Sequence, residues 1–493
     1  MKRICAVLLM LSFALLWNFA VATENAKPTE ESTPKKSESE DYTYILLEDG
    51  TAEIIRYAGN EEYVVIPDQI DGHQLSGIGD SAFDSKHILK TVYIPGCVTR
   101  IGANPFSYCE QLQWISVSSD NPVIENIDGV LFDTIEKRLI CYPMVWTDSA
   151  YTVPDWVEII GEKAFYINSY LETVNIPESV LEIGSQAFFG CKSLTELTIP
   201  NSMRKCGANP FAYCWNLAEL NVSENQPFFE MKDGALFSRE SNTLISYLST
   251  RQDSEYTIPE GTVVIGDYAF YNCGHLRNIT FADSVSTIGN SAFYSCEHIE
   301  SFDIRNGVET IGKSAFSGCK KAKSIILPDT LHSIGRAAFL MCKSLTEVVI
   351  PAQITVIESS TFEACDSLTQ VQFMGAITRI NERAFYSCKA LVSADLPEGI
   401  TEIGEEAFYQ CALETVAIPA STLTIGARAF LSCTNLNSVT IPESVTNIGK
   451  NAFAIYNENH MIIPNPLTVM RVRYGSSAEL YCLANGLAYK LEE

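Results

Sequence analysis

One motif, Ile-Gly-x-x-Ala-Phe-x-x-Cys, recurs down the chain, and its spacing restricts the fold more than any other feature. Its Phe falls at positions 83, 106, 165, 188, 211, 270, 293, 316, 339, 362, 385, 408, 430 and 453. Successive positions differ by 23 residues, apart from two gaps of 59 and one of 22. A unit that short cannot bury an apolar face by itself. It must stack on its neighbours, so a fixed period of this size specifies a solenoid.

A full unit reads Leu194-x-x-Leu197-x-Ile199-Pro200, then Met203-x-x-Cys206-Gly207, then Phe211-x-x-Cys214. The first stretch alternates with period 2, as a half-buried strand does, and Pro stops it. The Ile-Gly pair closes a second short extended piece. Its Gly is expected at positive φ, a conformation that Asn381, in the same place in one unit, also tolerates. Glu358 in another unit departs from that rule. Ala-Phe-x-x-Cys is expected as a short helical or 3-10 turn with Phe and Cys inward.

Each gap of 59 is one unit plus a 36-residue insert, near 118–153 and 223–258. The inserts resemble each other: Asp128-Gly129-Val130-Leu131-Phe132 matches Asp233-Gly234-Ala235-Leu236-Phe237. Asp-Gly between apolar stretches is a hairpin signal. Both inserts follow Gly-Ala-Asn-Pro-Phe, at Gly102 and Gly207. The repeats fill 73–470, between an N-terminal cap (42–72) and a C-terminal cap (471–493). In the first cap, Glu48-Asp49-Gly50 predicts a hairpin. In the second, Ser476 to Gly486 predicts a short capped helix, with Leu487-Ala488-Tyr489 as a final strand.

Ahead of the caps, Met1 to Ala22 reads as a secretory signal peptide: Lys2 and Arg3, an apolar run, then Ala20-Val21-Ala22. Residues 23–41, rich in Thr, Ser, Glu, Lys and Pro, read as a disordered tether. The net charge of −26 repels phosphate backbones and anionic lipid, so neither nucleic acid nor a membrane surface is an expected partner. After signal removal no membrane insertion is expected.

The Ile-Pro-x-x-Val-x-x-Ile-Gly-x-x-Ala-Phe-x-x-Cys unit, the Asp-Gly-x-Leu-Phe inserts and the terminal Gly475-Ser476-Ser477-Ala478-Glu479 resemble the BspA-type leucine-rich-repeat proteins. The resemblance covers nearly everything from Tyr42 onward. It implies an α/β leucine-rich-repeat-type solenoid, β-rich, on a secreted or cell-surface protein. For function it implies adhesion or host and matrix binding, and it carries over no catalytic residues.

Of the 16 Cys, eleven occupy one repeat position: 109, 191, 214, 273, 296, 319, 342, 365, 388, 411 and 433. The column reads as buried thiols acting as small apolar filler, rather than a bridged ladder, because stacked side chains run parallel. Lys86, Asn168 and Tyr456 replace Cys in three units. Chemistry-bearing patterns dissolve on inspection. Gly77-Ile78-Gly79-Asp80-Ser81-Ala82 imitates a dinucleotide loop but is the first Ile-Gly-x-x-Ala-Phe unit with an incidental Gly before it, while Ser317-Gly318-Cys319-Lys320 and Ser119-Asp120-Asn121 imitate hydrolase motifs and lie within repeat connections. His275 and His298 should stack on adjacent coils, yet their column holds only polar surface residues elsewhere. No catalytic residue, metal site or cofactor is therefore expected.

Binding is better signalled. Trp114, Trp146, Trp156 and Trp215 fall within one stretch around the first insert. Trp114 stands where other units carry Glu196 and Glu347, Trp156 where another has Ser179, and Trp215 where another has Lys192. Flat rings at outward positions anchor sugars or protein partners, unless the inserts fold over them as satellite core. A row of Tyr166, Tyr271, Tyr294, Tyr386 and Tyr409 after the repeat Phe reads mostly as packing between coils. The function expected is a non-enzymatic repeat scaffold, adhesion-like, that binds an extracellular protein or polysaccharide. The alternative is a structural, self-associating envelope protein without a specific ligand. Oligomeric state is not legible.

Overall fold

The computed structural model describes residues 35–37 and 40–492. The expected signal peptide, and most of the stretch read as a tether, lie outside the described residues. Within that stretch Lys35–Lys36 pairs antiparallel with Tyr42–Leu46. The chain divides into two compact units, one up to Thr134 and the other from Ile135. The boundary falls inside the first insert.

In the first unit Tyr42–Leu46 and Ala52–Tyr57 form the cap hairpin, closed at Gly50 with φ 78°. His73–Ile78 joins Ala52–Tyr57 in parallel, and Arg100–Ile101 joins His73–Ile78. A second parallel ladder runs Tyr63–Val65, Thr91–Ile94, Trp114–Val117. Ile124–Ile127 and Val130–Asp133 then form a hairpin through Asp128 and Gly129, with φ 50° and 87°.

The second unit is built from the same coil. Nearly every turn gives one short strand to each of two parallel, interrupted ladders (residues 391–397 give none), and the register is the repeat itself: Glu182 pairs Lys205, and Glu196 pairs Glu219. The second insert forms a meander, Phe229–Lys232, Ala235–Ser238 and Thr243–Tyr247. Its first turn uses Asp233 and Gly234 at φ 48° and 80°. At the C-terminal cap, helix Ser477–Asn485 starts on Ser476, whose hydroxyl accepts from Glu479 N–H at 3.2 Å, and stops at Gly486, φ 65°. Ala488–Glu492 then pairs with Val469–Arg473. No helix among the described residues is long and apolar enough to cross a membrane.

Two local expectations need correction. The Ala-Phe-x-x-Cys segment is not helical. In one coil the amides of Ala187, Phe189 and Cys191 donate three residues back, to Gly184, Gln186 and Phe188, at 3.3, 3.0 and 3.1 Å. The intervening amides of Gln186, Phe188 and Gly190 donate instead to Ala208, Pro210 and Ala212 of the next coil, at 3.0, 2.9 and 3.0 Å. Every second amide serves the stack, so a 3-10 helix, which keeps all of them for itself, cannot form. Left-handed residues such as Gln186 (φ 56°) and Gly190 (φ 72°) turn the chain between those bonds.

The Gly of Ile-Gly is required for a different reason than expected. It is not among the left-handed glycines. A Cβ on Gly184, Gly207 or Gly312 would lie 2.5, 2.2 or 2.6 Å from a backbone nitrogen of the preceding coil. The residue is Gly because backbones touch there. Where Glu358 replaces it, the ladder between Ser333–Ile334 and Val356–Ile357 is interrupted, and it resumes at the next coil.

The core of the second unit is a stack. From Phe270 to Phe453 the successive repeat rings lie 4.9–5.5 Å apart with planes within 13°. The 15 described cysteines are free thiols. Those of the column do more than fill space. Cys191, Cys214, Cys296, Cys319, Cys342, Cys365, Cys388, Cys411 and Cys433 each donate to the carbonyl of a repeat Phe in the preceding coil, at 3.0–3.3 Å. A thiol is small, largely apolar and still a donor, which suits a site facing one spare carbonyl.

Candidate ligand-binding surface

The four tryptophans do not converge. Trp114 belongs to the first unit, on the outward face of Trp114–Val117, and is 51% exposed. The other three lie in the second unit. Trp146 is half-buried and edge-on to Tyr142 at 5.3 Å, and Tyr142 lies 5.3 Å from the ring of Phe165. Asn168, one of the residues replacing the column Cys, explains this loop. Its buried amide donates to the carbonyls of Pro143 and Trp146 at 3.3 and 3.2 Å and accepts from Tyr170 and Leu171. Trp146 is therefore part of a folded-over insert. Trp156 is exposed on the turn that Val157 closes onto Pro154 at 3.0 Å.

Trp215 is the one tryptophan of the second unit whose exposed ring joins a wider aromatic cluster, in which Tyr166 and Phe189 are buried and Tyr213, Tyr268 and Tyr271 partly so. It is 45% exposed and edge-on to Tyr213 at 4.4 Å. Lys192, from the same position one coil earlier, holds its ammonium 4.9 Å from the Trp215 ring and 5.8 Å from Tyr213. Tyr213 and Phe189 lie 5.7 Å apart, and Phe189 meets both Tyr166 (5.1 Å) and Tyr271 (5.6 Å). Tyr271 stacks on Tyr294 at 5.0 Å and approaches Tyr268 at 5.9 Å. Lys163 covers Tyr166 at 6.0 Å. Burial, and next to it the charge of Asp267, push the Tyr268 hydroxyl above its ordinary range, so it stays a neutral donor.

The cluster exists because the second insert lacks the Ala-Phe turn. The turns on either side close on one another: Asn209 donates its side-chain amide to the Tyr268 carbonyl at 2.6 Å, across 59 residues of chain. Phe189 thereby reaches Tyr271. The row of tyrosines was legible in the sequence. Phe189, Tyr213, Tyr268 and the cation of Lys192 were not: Phe189 and Tyr213 meet Tyr271 only across the insert, and Lys192 meets Trp215 one coil on only because of how the two side chains are oriented. The available signal was the Asn of Gly-Ala-Asn-Pro-Phe, which marks the coil before each insert.

Elsewhere on this unit the ladder stops at Lys205–Cys206, leaving a cleft of about 340 Å³ beside the second insert, lined by Arg204, Phe229, Ile245 and Asp267 among others. Burial raises the Cys206 thiol to about 12, so it is no nucleophile at neutral pH. Tyr386 and Tyr409 stack at 4.5 Å beside Arg383, whose guanidinium lies 4.1 Å from Tyr386 and binds Glu363 at 2.7 Å.

The imitations of catalytic motifs have structural duties. Lys320 pairs with Glu297 at 2.7 Å rather than with Ser317, which is buried. Asn121 donates to the carbonyls of Pro95 and Val98 at 3.1 and 2.8 Å. Gly77 and Ile78 lie in strand His73–Ile78. Among the described residues no group of three or more His, Cys, Asp or Glu is placed to hold a metal ion, so His275 and His298 recruit no third ligand.

Several solved structures are similar to this chain. A leucine-rich cell surface protein of Faecalibacterium prausnitzii is 27% identical, with 71% of this chain and 96% of that chain covered and a TM-score of 0.47. A leucine-rich repeat protein of Bacteroides ovatus is 23% identical over 95% and 100% of the two chains, with a TM-score of 0.42. One from Eubacterium ventriosum is 20% identical over 76% and 93%, with a TM-score of 0.46. No curated protein matches the sequence. The model of the BspA-type leucine-rich repeat region matches residues 63–138, 148–254, 245–369 and 355–474. With the stacked coils, the Phe column and the Cys column read in the same residues, the chain belongs to the BspA-type leucine-rich repeat family.

Proposed function

We propose that the protein is a secreted or cell-surface, non-catalytic scaffold that binds an extracellular protein or polysaccharide. One observation carries the reading. Trp215 stands exposed where the preceding coil has a lysine, and that lysine lies over its ring in a cluster of six further aromatic residues. Exposed rings backed by other rings are rigid and cost little ordering entropy on binding, which makes them good anchors. Stacked coils then repeat weak contacts along one surface, and avidity supplies the rest.

The test is a binding screen of the full chain against immobilised glycans and matrix glycoproteins, with W215A as the variant. Trp215 is exposed, so the variant should fold. A bound ligand whose affinity drops about tenfold or more in W215A supports the reading. No ligand in the screen, together with concentration-dependent association in light scattering, would replace it with the self-associating envelope protein.

A further inference from the structure

The first unit carries a second, differently built aromatic surface. Its ladder Tyr63–Val65, Thr91–Ile94, Trp114–Val117 is in strict register: Tyr63 pairs Thr91 and Thr91 pairs Trp114, while Val65 pairs Tyr93 and Tyr93 pairs Ser116. Val64, Val92 and Ile115 are buried beneath. The alternation therefore sends Tyr63, Tyr93 and Trp114 outward, one aromatic residue per strand, in a zigzag. Tyr63 is 67% exposed, Val65 71% and Trp114 51%. Homologous outward positions in the second unit hold Glu196 and Glu219, a like-charged pair directly in register. The face in the first unit is thus an exception within its own repeat.

The spacing follows from sheet geometry. Tyr63 and Trp114 are two strands apart, about 9.6 Å at ordinary strand separation, and Tyr93 sits diagonally between them, about 7–8 Å from each. The separation of alternate rings is close to the disaccharide repeat of an extended β-1,4-linked polysaccharide. In such a chain every second sugar presents the same apolar face. Thr91 and Ser116 lie in the gaps and offer hydroxyls to the sugar rims. The charges at the border cancel, since Lys90 binds Glu62 at 2.8 Å. A flat, uncharged aromatic strip on a chain of net charge −26 favours a neutral polymer over an anionic one.

We infer that Tyr63, Tyr93 and Trp114 form a platform for a neutral, extended β-1,4-linked polysaccharide lying across the three strands. The inference rests on the binding-scaffold reading and gives it a ligand class and a second address. It places no requirement on the Trp215 cluster.

The experiment is affinity electrophoresis of the full chain in gels containing hydroxyethylcellulose or glucomannan, against dextran, pullulan and polygalacturonate. Retardation by the two β-1,4-linked neutral polymers alone is expected. W114A and Y63A should each weaken it about tenfold, and W114F and Y63F, which keep a ring, should restore most of it. These side chains are exposed, and circular dichroism of each variant confirms the fold. Three outcomes overturn the inference: no retardation by either β-1,4-linked polymer, retardation that W114A and Y63A leave unchanged, or preference for the α-linked or anionic polymers. Loss in W215A with W114A unaffected would also overturn it while upholding the broader reading. Capture of a deglycosylated matrix protein through Trp114 would overturn it in favour of a protein ligand.

Discussion

A single atom separates the residues that this coil accepts at the Ile-Gly position from those it rejects. A Cβ on Gly312 would stand 2.6 Å from the backbone nitrogen of Asn290, where no flexible side chain can yield. Gly312→Ala should therefore destabilise the protein by about 1–3 kcal/mol through overpacking against main chain. Urea melts followed by circular dichroism test this. Because solenoid coils interact mainly with their neighbours, the loss should be local, with protection from hydrogen exchange falling first around Asn290 and Gly312. A melt unchanged within error would mean that the coils separate more readily than their contacts imply. The column residue follows a related logic. A Cys thiol meets the Phe carbonyl of the coil before, and Asn168 in the same column turns its amide to three carbonyls of the first insert instead.

At the scale of elements, the inserts behave as anchored hairpins rather than loose loops. Gln226, buried, donates to the Met203 carbonyl at 2.7 Å and accepts from Phe228 and Phe229 at 2.6 and 2.8 Å. At the far end Asp253 accepts from Arg251 at 2.5 Å and from the Tyr247 hydroxyl at 2.9 Å. Arg251 first, and Tyr247 next, hold the Asp253 carboxyl below its ordinary range. A lowered folded-state pKa means that the fold favours the carboxylate. The contribution is therefore present above the ordinary carboxylate range and fades as pH falls through the depressed value. D253N should cost about 1 kcal/mol or less at neutral pH, since the pair is part-exposed, and should show a shallower loss of stability on acidification than the parent chain. Parallel acid titrations followed by tyrosine fluorescence check it; superimposable acid limbs would remove Asp253 from the account.

For the whole molecule the reduced thiols set an alkaline limit. Burial raises Cys214, Cys342 and Cys433 from an ordinary value of 9.0 to about 12. Here the sign is opposite to that of Asp253. The fold favours the protonated form, so the contribution is complete below pH 9 and is lost as pH rises toward 12. Many column thiols titrate together on unfolding, so stability should fall steeply across that window. Thiol reagents should count the same groups. At neutral pH half-buried Cys97 should react first, Cys206 far more slowly because its thiol is held protonated, and the 13 buried thiols only on denaturation. Rapid labelling of all 15 in the native protein would contradict the buried column.

The sequence by itself determined the solenoid, its 23-residue register, the two inserts with their Asp-Gly turns, and the capped terminal helix. Each of these is encoded locally or by repetition: a period, a turn dipeptide, a Ser before and a Gly after an apolar stretch. It also marked Trp114 and Trp215 as unusual, because a repeat shows what stands at each position elsewhere. Only the tertiary structure decided the reason for the recurring Gly, the partner of each column thiol and the fate of Trp146. It alone brought Phe189 to Tyr271 and set Tyr63, Tyr93 and Trp114 on one face. Those outcomes depend on which backbone atoms meet when one coil is laid on the next. That contact is made between residues about one repeat apart, or across an insert, and no local pattern in the chain specifies it.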